Sequence, residues 1–275
     1  MKRGKLKRGL VVYLFVGSVS SFMLFSICSM VPQAGHALEK ADQKRPSIEG
    51  VPPPNFSHPF RVGEKLSYKV KFLGFVIGKE SLEVKDIVQI NGHAAYLFIS
   101  TVKTIGLASL FYRFNEKIES FVDVETLYPR RSIIYTDAGS TKSKEIWIEV
   151  NLEEGIAIIE DKKVNYTWKR RFSLPVLEAV SLIYWLRTQD LEVGKKLSAS
   201  FIEGHKMRKL TVEVVGREKV HAPIGSFSAF LCSETASTER KIWLSDDEKR
   251  LPVKIQAETP IGLITAYLSE IESGK

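Results

Sequence analysis

The sequence predicts a mainly β protein with a large, curved, mostly antiparallel sheet, half-barrel or barrel-like, and one long buried helix at about residues 175–188. Apolar and polar residues alternate along most of the chain, as from Leu66 to Phe72, and this period of two is typical of half-buried strands. Turn signals such as Asn91-Gly92 separate the alternating runs. The segment from Pro175 to Thr188 is instead apolar nearly all round, which is typical of a helix buried on several sides.

About a dozen strands can be assigned in order along the chain from this alternation. They cover residues 66–72, 79–90, 94–103, 116–124, 129–137, 144–151, 155–159, 196–202, 209–219, 225–235, 240–244, 252–258 and 262–271. Short polar turns join most of them, which predicts antiparallel pairing between neighbours. We expect a sheet of this size to curl or close, because a large flat sheet would expose long unpaired edges.

Two segments interrupt the alternation. Residues 104–112 predict a short helix or an apolar loop. The long helix is expected to begin with Ser173 near its cap and Pro175 in its first turn, and it is too short to cross a bilayer. Its apolar surface demands burial, either in the concavity of the curved sheet or on the outer face with Trp185 at the edge.

The N-terminus predicts export. A basic segment at residues 1–8 precedes an uncharged apolar stretch from Leu10 to Val31, and Gly35-His36-Ala37 supplies small residues for cleavage. The apolar stretch approaches the roughly 20 residues that cross a bilayer, so residues 1–37 are either a cleaved signal peptide or an uncleaved anchor. Residues 38–58, with Pro52-Pro53-Pro54, predict a flexible linker, residues 59–271 a single β-rich domain, and residues 272–275 a tail.

Charge and cysteine content exclude several classes of protein. Five of the 40 basic residues lie in the first eight positions and no acidic residue precedes Glu39, so the mature chain is nearly neutral. The apparent basicity therefore gives no support to nucleic-acid binding, and we expect no nucleic-acid partner. Only Cys232 remains after residue 37, which excludes an intramolecular disulfide; its alternating apolar surroundings predict a buried structural thiol.

The sequence contains no recognisable catalytic, cofactor-binding or metal-binding motif, and no residue is assigned to any of these roles. The histidines after residue 37 lack the spacing of metal ligands: His58, His93, His205 and His221. A carboxylate-based hydrolase site stays open, because two acids distant in sequence leave no local motif. The basic stretch from Lys162 to Phe172 predicts either a charged edge strand or a contact with anionic headgroups.

Two apolar loops are candidate contact surfaces. The segment from Leu73 to Gly78 is either a packed β-turn or a lip that touches lipid or a partner, and residues 105–114 allow the same two interpretations. With the buried helix, these loops supply the residues that we expect to contact a ligand or partner. They are Phe72, Phe75, Val76, Phe111, Tyr112, Val180, Tyr184 and Trp185.

Several short motifs, in this order and spacing, resemble domain-of-unknown-function family 3108 of exported bacterial proteins. They are GEKLSY at 63–68, LGFVIGK at 73–79, LYP at 127–129, LR at 186–187 with Gly194 following, APIGSF at 222–227, and WLSDD at 243–247 with RLPV at 250–253. The resemblance covers residues 59–271. It implies a curved β-sheet domain, with the half-barrel of periplasmic lipoprotein carriers as a fold-level analogy, and it transfers no activity.

Three functional hypotheses follow. The favoured one is an exported, non-enzymatic periplasmic protein, free or anchored to the inner membrane through residues 10–31, that binds a lipid or other apolar ligand in its curved sheet. The alternative is an envelope scaffold or assembly factor that binds another protein through its edge strands and apolar loops. The third is a hydrolase of envelope polysaccharide or lipid, which requires two carboxyl groups with raised pKa values converging in a pocket.

Overall fold

The structure, a computed structural model, describes residues 57–139, 143–235, 240–259 and 262–274. The predicted signal segment and residues 38–56 of the predicted linker lie outside these ranges. The strands are β1 (Lys65–Phe72), β2 (Phe75–Ile90), β3 (His93–Thr104), β4 (Asn115–Asp123), β5 (Pro129–Asp137), β6 (Ser143–Asn151), β7 (Ile156–Asp161), β8 (Tyr166–Arg171), β9 (Val176–Leu177), β10 (Lys196–Glu203), β11 (Lys206–Ala222), β12 (Gly225–Glu234), β13 (Arg240–Ser245), β14 (Pro252–Thr259) and β15 (Gly262–Glu272). The helices are α1 (Gly106–Phe111) and α2 (Ala179–Thr188).

All these strands belong to one sheet, in the order β8-β7-β6-β5-β4-β3-β2-β1-β15-β14-β13-β12-β11-β10-β9. Neighbours are antiparallel except β9 and β10, and the pairing of β1 with β15 joins the two ends of the domain. The sheet curls without closing, and side chains connect its edges: Arg170 Nε donates to the carbonyl of His205 at 3.0 Å. The prediction of a large, curved, mostly antiparallel sheet is confirmed.

Helix α2 lies inside the concavity of the sheet. The ring of Tyr184 stacks on Phe98 of β3, with ring centroids 3.8 Å apart. Leu186 packs on the opposite side, in a core cluster with Phe201 of β10 and Val212 of β11. Because α2 contacts both halves of the sheet, the helix is buried on both of these sides, as expected for a helix that is apolar nearly all round. Among the described residues, no helix is long and apolar enough to cross a bilayer.

The prediction that this helix starts at Pro175 is wrong. Val176 and Leu177 pair with β10 as the short strand β9, and the helix begins only at Ala179. Its N-cap is Glu178, whose carboxylate accepts hydrogen bonds from the backbone N–H groups of Val180 and Ser181 at 3.0 and 2.7 Å. The expected cap, Ser173, instead donates its backbone N–H to Ser200 Oγ.

Arg187 holds the C-terminal end of α2 in place. Its side chain is fully buried, and two of its guanidinium nitrogens donate to both carboxylate oxygens of Glu64, at 2.6 and 3.0 Å. The same guanidinium donates to the carbonyl oxygens of Pro59 and Lys249. A buried cation is therefore fully paired, and it fastens the helix to the start of β1 and to the β13–β14 connection.

Strand β2 is longer than predicted, and the basic stretch from Lys162 to Phe172 contains a strand. Strand β2 begins at Phe75 and not at residue 79, because Leu73 and Gly74 form a two-residue turn with φ angles of 47° and 85° that closes the hairpin tightly. The basic stretch forms β8 at one edge of the sheet, as the charged-edge interpretation predicts.

Candidate functional site

Six large apolar side chains are exposed at one end of the sheet. They lie on two connections that neighbour each other, the β1–β2 turn and helix α1. Phe75 is 76% exposed and Phe111 is 84% exposed. We call this group the apolar rim: Leu73, Phe75 and Val76 from the hairpin, and Leu107, Leu110 and Phe111 from α1. Exposed apolar residues concentrated in this way mark interaction surfaces, whereas single exposed ones need no explanation.

The local sequence holds the apolar rim in a defined position. The left-handed φ angles at Leu73 and Gly74 make a tight hairpin turn that projects the Leu73 side chain away from the sheet. The backbone N–H of Ile105 donates to the carbonyl of Ile77 at 3.0 Å, which places α1 beside the hairpin. Thr104 Oγ1 donates to the carbonyl of Tyr112 at 3.0 Å, and this bond links the two ends of the segment that contains α1. Since α1 has no buried residue, its apolar side chains contribute nothing to the core.

The predicted contact residues fall in two separate places. Phe75, Val76 and Phe111 belong to the apolar rim, whereas Phe72 is half-buried and Tyr112, at the C-terminal end of α1, is buried. The other three lie on α2 inside the sheet: Val180 and Tyr184 are buried and Trp185 is half-buried. The predicted set omitted Leu73, Leu107 and Leu110, although the local signal existed, since each lies at or beside a glycine-containing apolar loop.

A small cavity of about 90 Å³ lies along α2. Apolar residues of α2 and of β10 to β14 form most of its wall, and Leu82 of β2 completes it. Its polar lining residues are Ser100, Glu234, Arg240, Lys241 and Gln256. Ligand pockets usually measure about 300–1,000 Å³. A whole lipid therefore does not fit in this cavity unless side chains of α2 move.

Ion pairs neutralise the charged side of this cavity. Arg240 pairs with Glu234 at 2.9 Å, and Arg208 pairs with the same carboxylate at 2.7 Å. Glu203 contacts both arginines. Burial lowers the pKa of Arg240 to about 10, although the two carboxylates oppose that change. The two positive charges of Arg208 and Arg240 are therefore balanced by the two negative charges of Glu203 and Glu234.

Two buried carboxyl groups on β2 and β4 lie near each other inside the sheet. Glu80 on β2 is 2% exposed, and neither of its carboxylate oxygens has a hydrogen-bond partner within the described residues. Burial, and then the nearby Glu116, raise the pKa of Glu80 well above its ordinary value. Burial also raises the pKa of Glu116 on β4 to about 8, although Thr136 Oγ1 donates to it at 2.9 Å.

The sheet register brings these two acids into one interior row. Glu80 pairs with Val102, and Val102 pairs with Glu116, so the acids are two strands apart, about 10 Å between their Cα atoms. Carboxyl groups with raised pKa values are candidates for acid–base chemistry. The oxygens of Glu80 are sealed from solvent, however, which leaves a substrate no access to them. In the described ranges, no three side chains of the metal-ligating types cluster together.

Comparison with known proteins gives a family and a fold. Residues 67–269 match the family model described as a protein of unknown function (DUF3108). No curated protein matches. A solved beta-barrel-like protein of domain of unknown function DUF1849 from Brucella abortus superposes with a TM-score of 0.54 at 10% identity, covering 78% of this chain and 99% of that one. At that identity the likeness shows the fold alone. The chain belongs to the DUF3108 family of proteins of unknown function.

Proposed function

We propose that this protein is exported to the cell envelope, carries out no catalysis, and binds lipid through the apolar rim. The observation that carries the proposal is the exposure of six large apolar side chains on two neighbouring connections. Folding does not account for the three on α1, because this helix contributes no residue to the core. An apolar surface of this kind is stabilised when it leaves water.

The apolar rim supplies enough free energy for binding. Burying one large aliphatic or aromatic side chain contributes roughly 1.5–3 kcal/mol. With Leu73, Phe75, Leu107, Leu110 and Phe111 each more than three-quarters exposed, transfer of the rim into hydrocarbon gains several kcal/mol even after the entropic costs of association. That gain needs no change in the folded domain, since the side chains already project into solvent.

The interior of the sheet contributes less to the proposal. The cavity beside α2 has apolar walls but only about 90 Å³ of space, so an acyl chain could enter only if α2 side chains were displaced. We therefore place the first contact with lipid at the rim. The sealed oxygens of Glu80 weigh against a hydrolase that uses the Glu80 and Glu116 carboxyl groups.

A fluorescent label on the rim tests the proposal. A Phe75→Cys variant would carry an environment-sensitive NBD group on the full chain as cells leave it after export. The background change Cys28→Ser removes the thiol of the predicted signal segment, and the remaining native thiol, Cys232, is buried, so the label attaches to the new cysteine. Vesicles of phosphatidylcholine and phosphatidylglycerol should shift its emission to the blue. The matched control, Val193→Cys, places the label on another exposed apolar residue, 59% exposed, in the α2–β10 connection at the opposite end.

Because the label reports only its own surroundings, the test works whether or not residues 10–31 remain as an anchor. An unchanged emission from the Phe75 site in the presence of vesicles would contradict lipid binding at the rim. If purified envelope protein free of lipid shifted the emission and vesicles did not, the rim would instead be a protein-docking surface, as the scaffold hypothesis requires.

A further inference from the structure

Three lysines form one row across the outer face of the sheet, close to the apolar rim. Lys69 on β1 lies directly opposite Lys79 on β2, and Lys79 lies directly opposite Lys103 on β3. All three side chains are exposed. We call these residues the lysine row. Directly opposed side chains in an antiparallel pair have Cβ atoms about 5 Å apart, and like charges at that distance destabilise the sheet.

The positive charge of the lysine row is not neutralised by its surroundings. Within the described part of the chain, none of the three lysines forms an ion pair with a carboxylate. Three acids on this face have other partners. Asp137, in the same row two strands beyond Lys103, pairs with Arg113. Glu83 pairs with Lys85, and Glu119 pairs with Lys117. A sheet selected for stability alone would alternate the signs of such neighbours. The uncompensated row therefore indicates an anionic partner.

The lysine row lies close to the apolar rim in sequence. Each lysine is four residues from a rim residue: Lys69 from Leu73, Lys79 from Phe75, and Lys103 from Leu107. Lys79 and Phe75 lie on the same strand, where four residues span about 13 Å. A flexible lysine side chain can carry its ammonium group part of that way towards the rim while its methylene groups lie along apolar surface.

We infer that the apolar rim and the lysine row together form a docking surface for a bilayer that contains anionic phospholipids. Surface-active proteins place apolar side chains about 5–10 Å into the boundary between headgroups and acyl chains. With the rim at that depth, the ammonium groups of the lysine row reach the level of the lipid phosphates. Tyr267 extends the row on the side of β15, where it pairs with Lys69 and lies 5.5 Å from Lys71 Nζ.

This inference rests on the proposed lipid binding and adds that the lipid carries a negative charge. A lysine near an anionic surface strengthens binding about fivefold, so three lysines should contribute about 100-fold. Replacing them with Gln should not unfold the protein, because the change removes repulsion between neighbours and no ion pair.

The experiment uses the NBD label at Phe75→Cys and measures affinity for two kinds of vesicle. The chain with an intact lysine row should bind vesicles containing phosphatidylglycerol far more tightly than vesicles of phosphatidylcholine alone, and added salt should weaken that binding. The variant Lys69→Gln/Lys79→Gln/Lys103→Gln should lose about 100-fold in affinity for the anionic vesicles. A control with the same charge change, Lys196→Gln/Lys219→Gln/Lys249→Gln, replaces exposed lysines away from the rim and should bind like the parent.

The outcomes separate the two proposals. Equal affinity for neutral and anionic vesicles, or equal losses in the two triple variants, would overturn the role of the lysine row and leave lipid binding at the rim intact. No response to either vesicle would overturn both. Thermal unfolding of each variant identifies any loss of affinity that comes from misfolding.

Discussion

The pH dependence of stability should be traceable to one buried carboxyl group. Glu116 lies on the inner face of β4, where burial raises its pKa from 4.5 to about 8. Replacement of Glu116 by Gln keeps a neutral side chain of the same shape and keeps an oxygen that can accept the hydrogen bond from Thr136 Oγ1. The variant removes this proton equilibrium, and it also removes the charge that adds to the raised pKa of Glu80, so both changes reduce the pH dependence.

The sign of the effect follows from the direction of the pKa change. Below pH 4.5 the Glu116 carboxyl is protonated in both the folded and unfolded states, so it adds no pH dependence. Between pH 4.5 and about 8 the unfolded chain releases this proton and the folded chain keeps it, so the free energy of unfolding falls as pH rises. The change in the pKa of Glu116 from 4.5 to about 8 corresponds to roughly 5 kcal/mol in the free energy of unfolding. The raised pKa of Glu80 adds a loss in the same direction.

Urea denaturation at pH 5 and pH 8 measures this effect. The parent chain should lose roughly 3–4 kcal/mol through Glu116 over that interval, and Glu116→Gln should remove that part of the loss. Glu119→Gln is the matched control, three residues along β4 on the outer face, and should leave the pH dependence unchanged. The reasoning fails if Glu116→Gln and the parent chain show the same difference between the two pH values.

Three further predictions concern the core and α2. Arg187→Met leaves the Glu64 carboxylate buried without its cation, so the free energy of unfolding measured in urea should fall by about 3–5 kcal/mol. Adding Glu64→Gln should restore part of that loss, and a loss below about 1 kcal/mol would contradict the buried pairing. Burial raises the pKa of the Cys232 thiol to about 12, so native protein at pH 8 should not react with Ellman's reagent, whereas urea-unfolded protein should; rapid native reaction would be the contrary result. Glu178→Ala removes the N-cap, so it should lower the free energy of unfolding by about 1–2 kcal/mol and speed amide hydrogen exchange at Val180. An unchanged exchange rate at Val180 would contradict the capping role of Glu178.

Local sequence patterns predicted the sheet because alternation is a local property. The run from Leu66 to Phe72 is nearly the whole of β1, and the apolar helix is present within the predicted range. The start of that helix was missed for a physical reason. Val176 and Leu177 are apolar in either conformation, and only pairing with β10, distant in sequence, makes them a strand.

The candidate site depends on long-range register, which a single sequence does not contain. The Leu73–Gly78 segment was identified as apolar, but its exposure depends on what the rest of the chain covers. Lys79 and Lys103 become neighbours only because β2 and β3 pair in one register, and a shift by one residue would move every side chain to the other face. The interior row that contains Glu80 and Glu116 arises in the same way.

The depth of individual residues in a bilayer tests the central proposal most directly. Nitroxide labels at Phe75→Cys, Lys79→Cys and Val193→Cys, each on the full chain in a Cys28→Ser background, report depth through their accessibility to oxygen and to a water-soluble nickel complex. In vesicles that contain phosphatidylglycerol, the label at Phe75 should lie about 5–10 Å into the boundary between headgroups and acyl chains, the label at Lys79 near the phosphates, and the label at Val193 in water. A label at Phe75 that stays as accessible to the nickel complex as the label at Val193 would contradict lipid binding through the apolar rim.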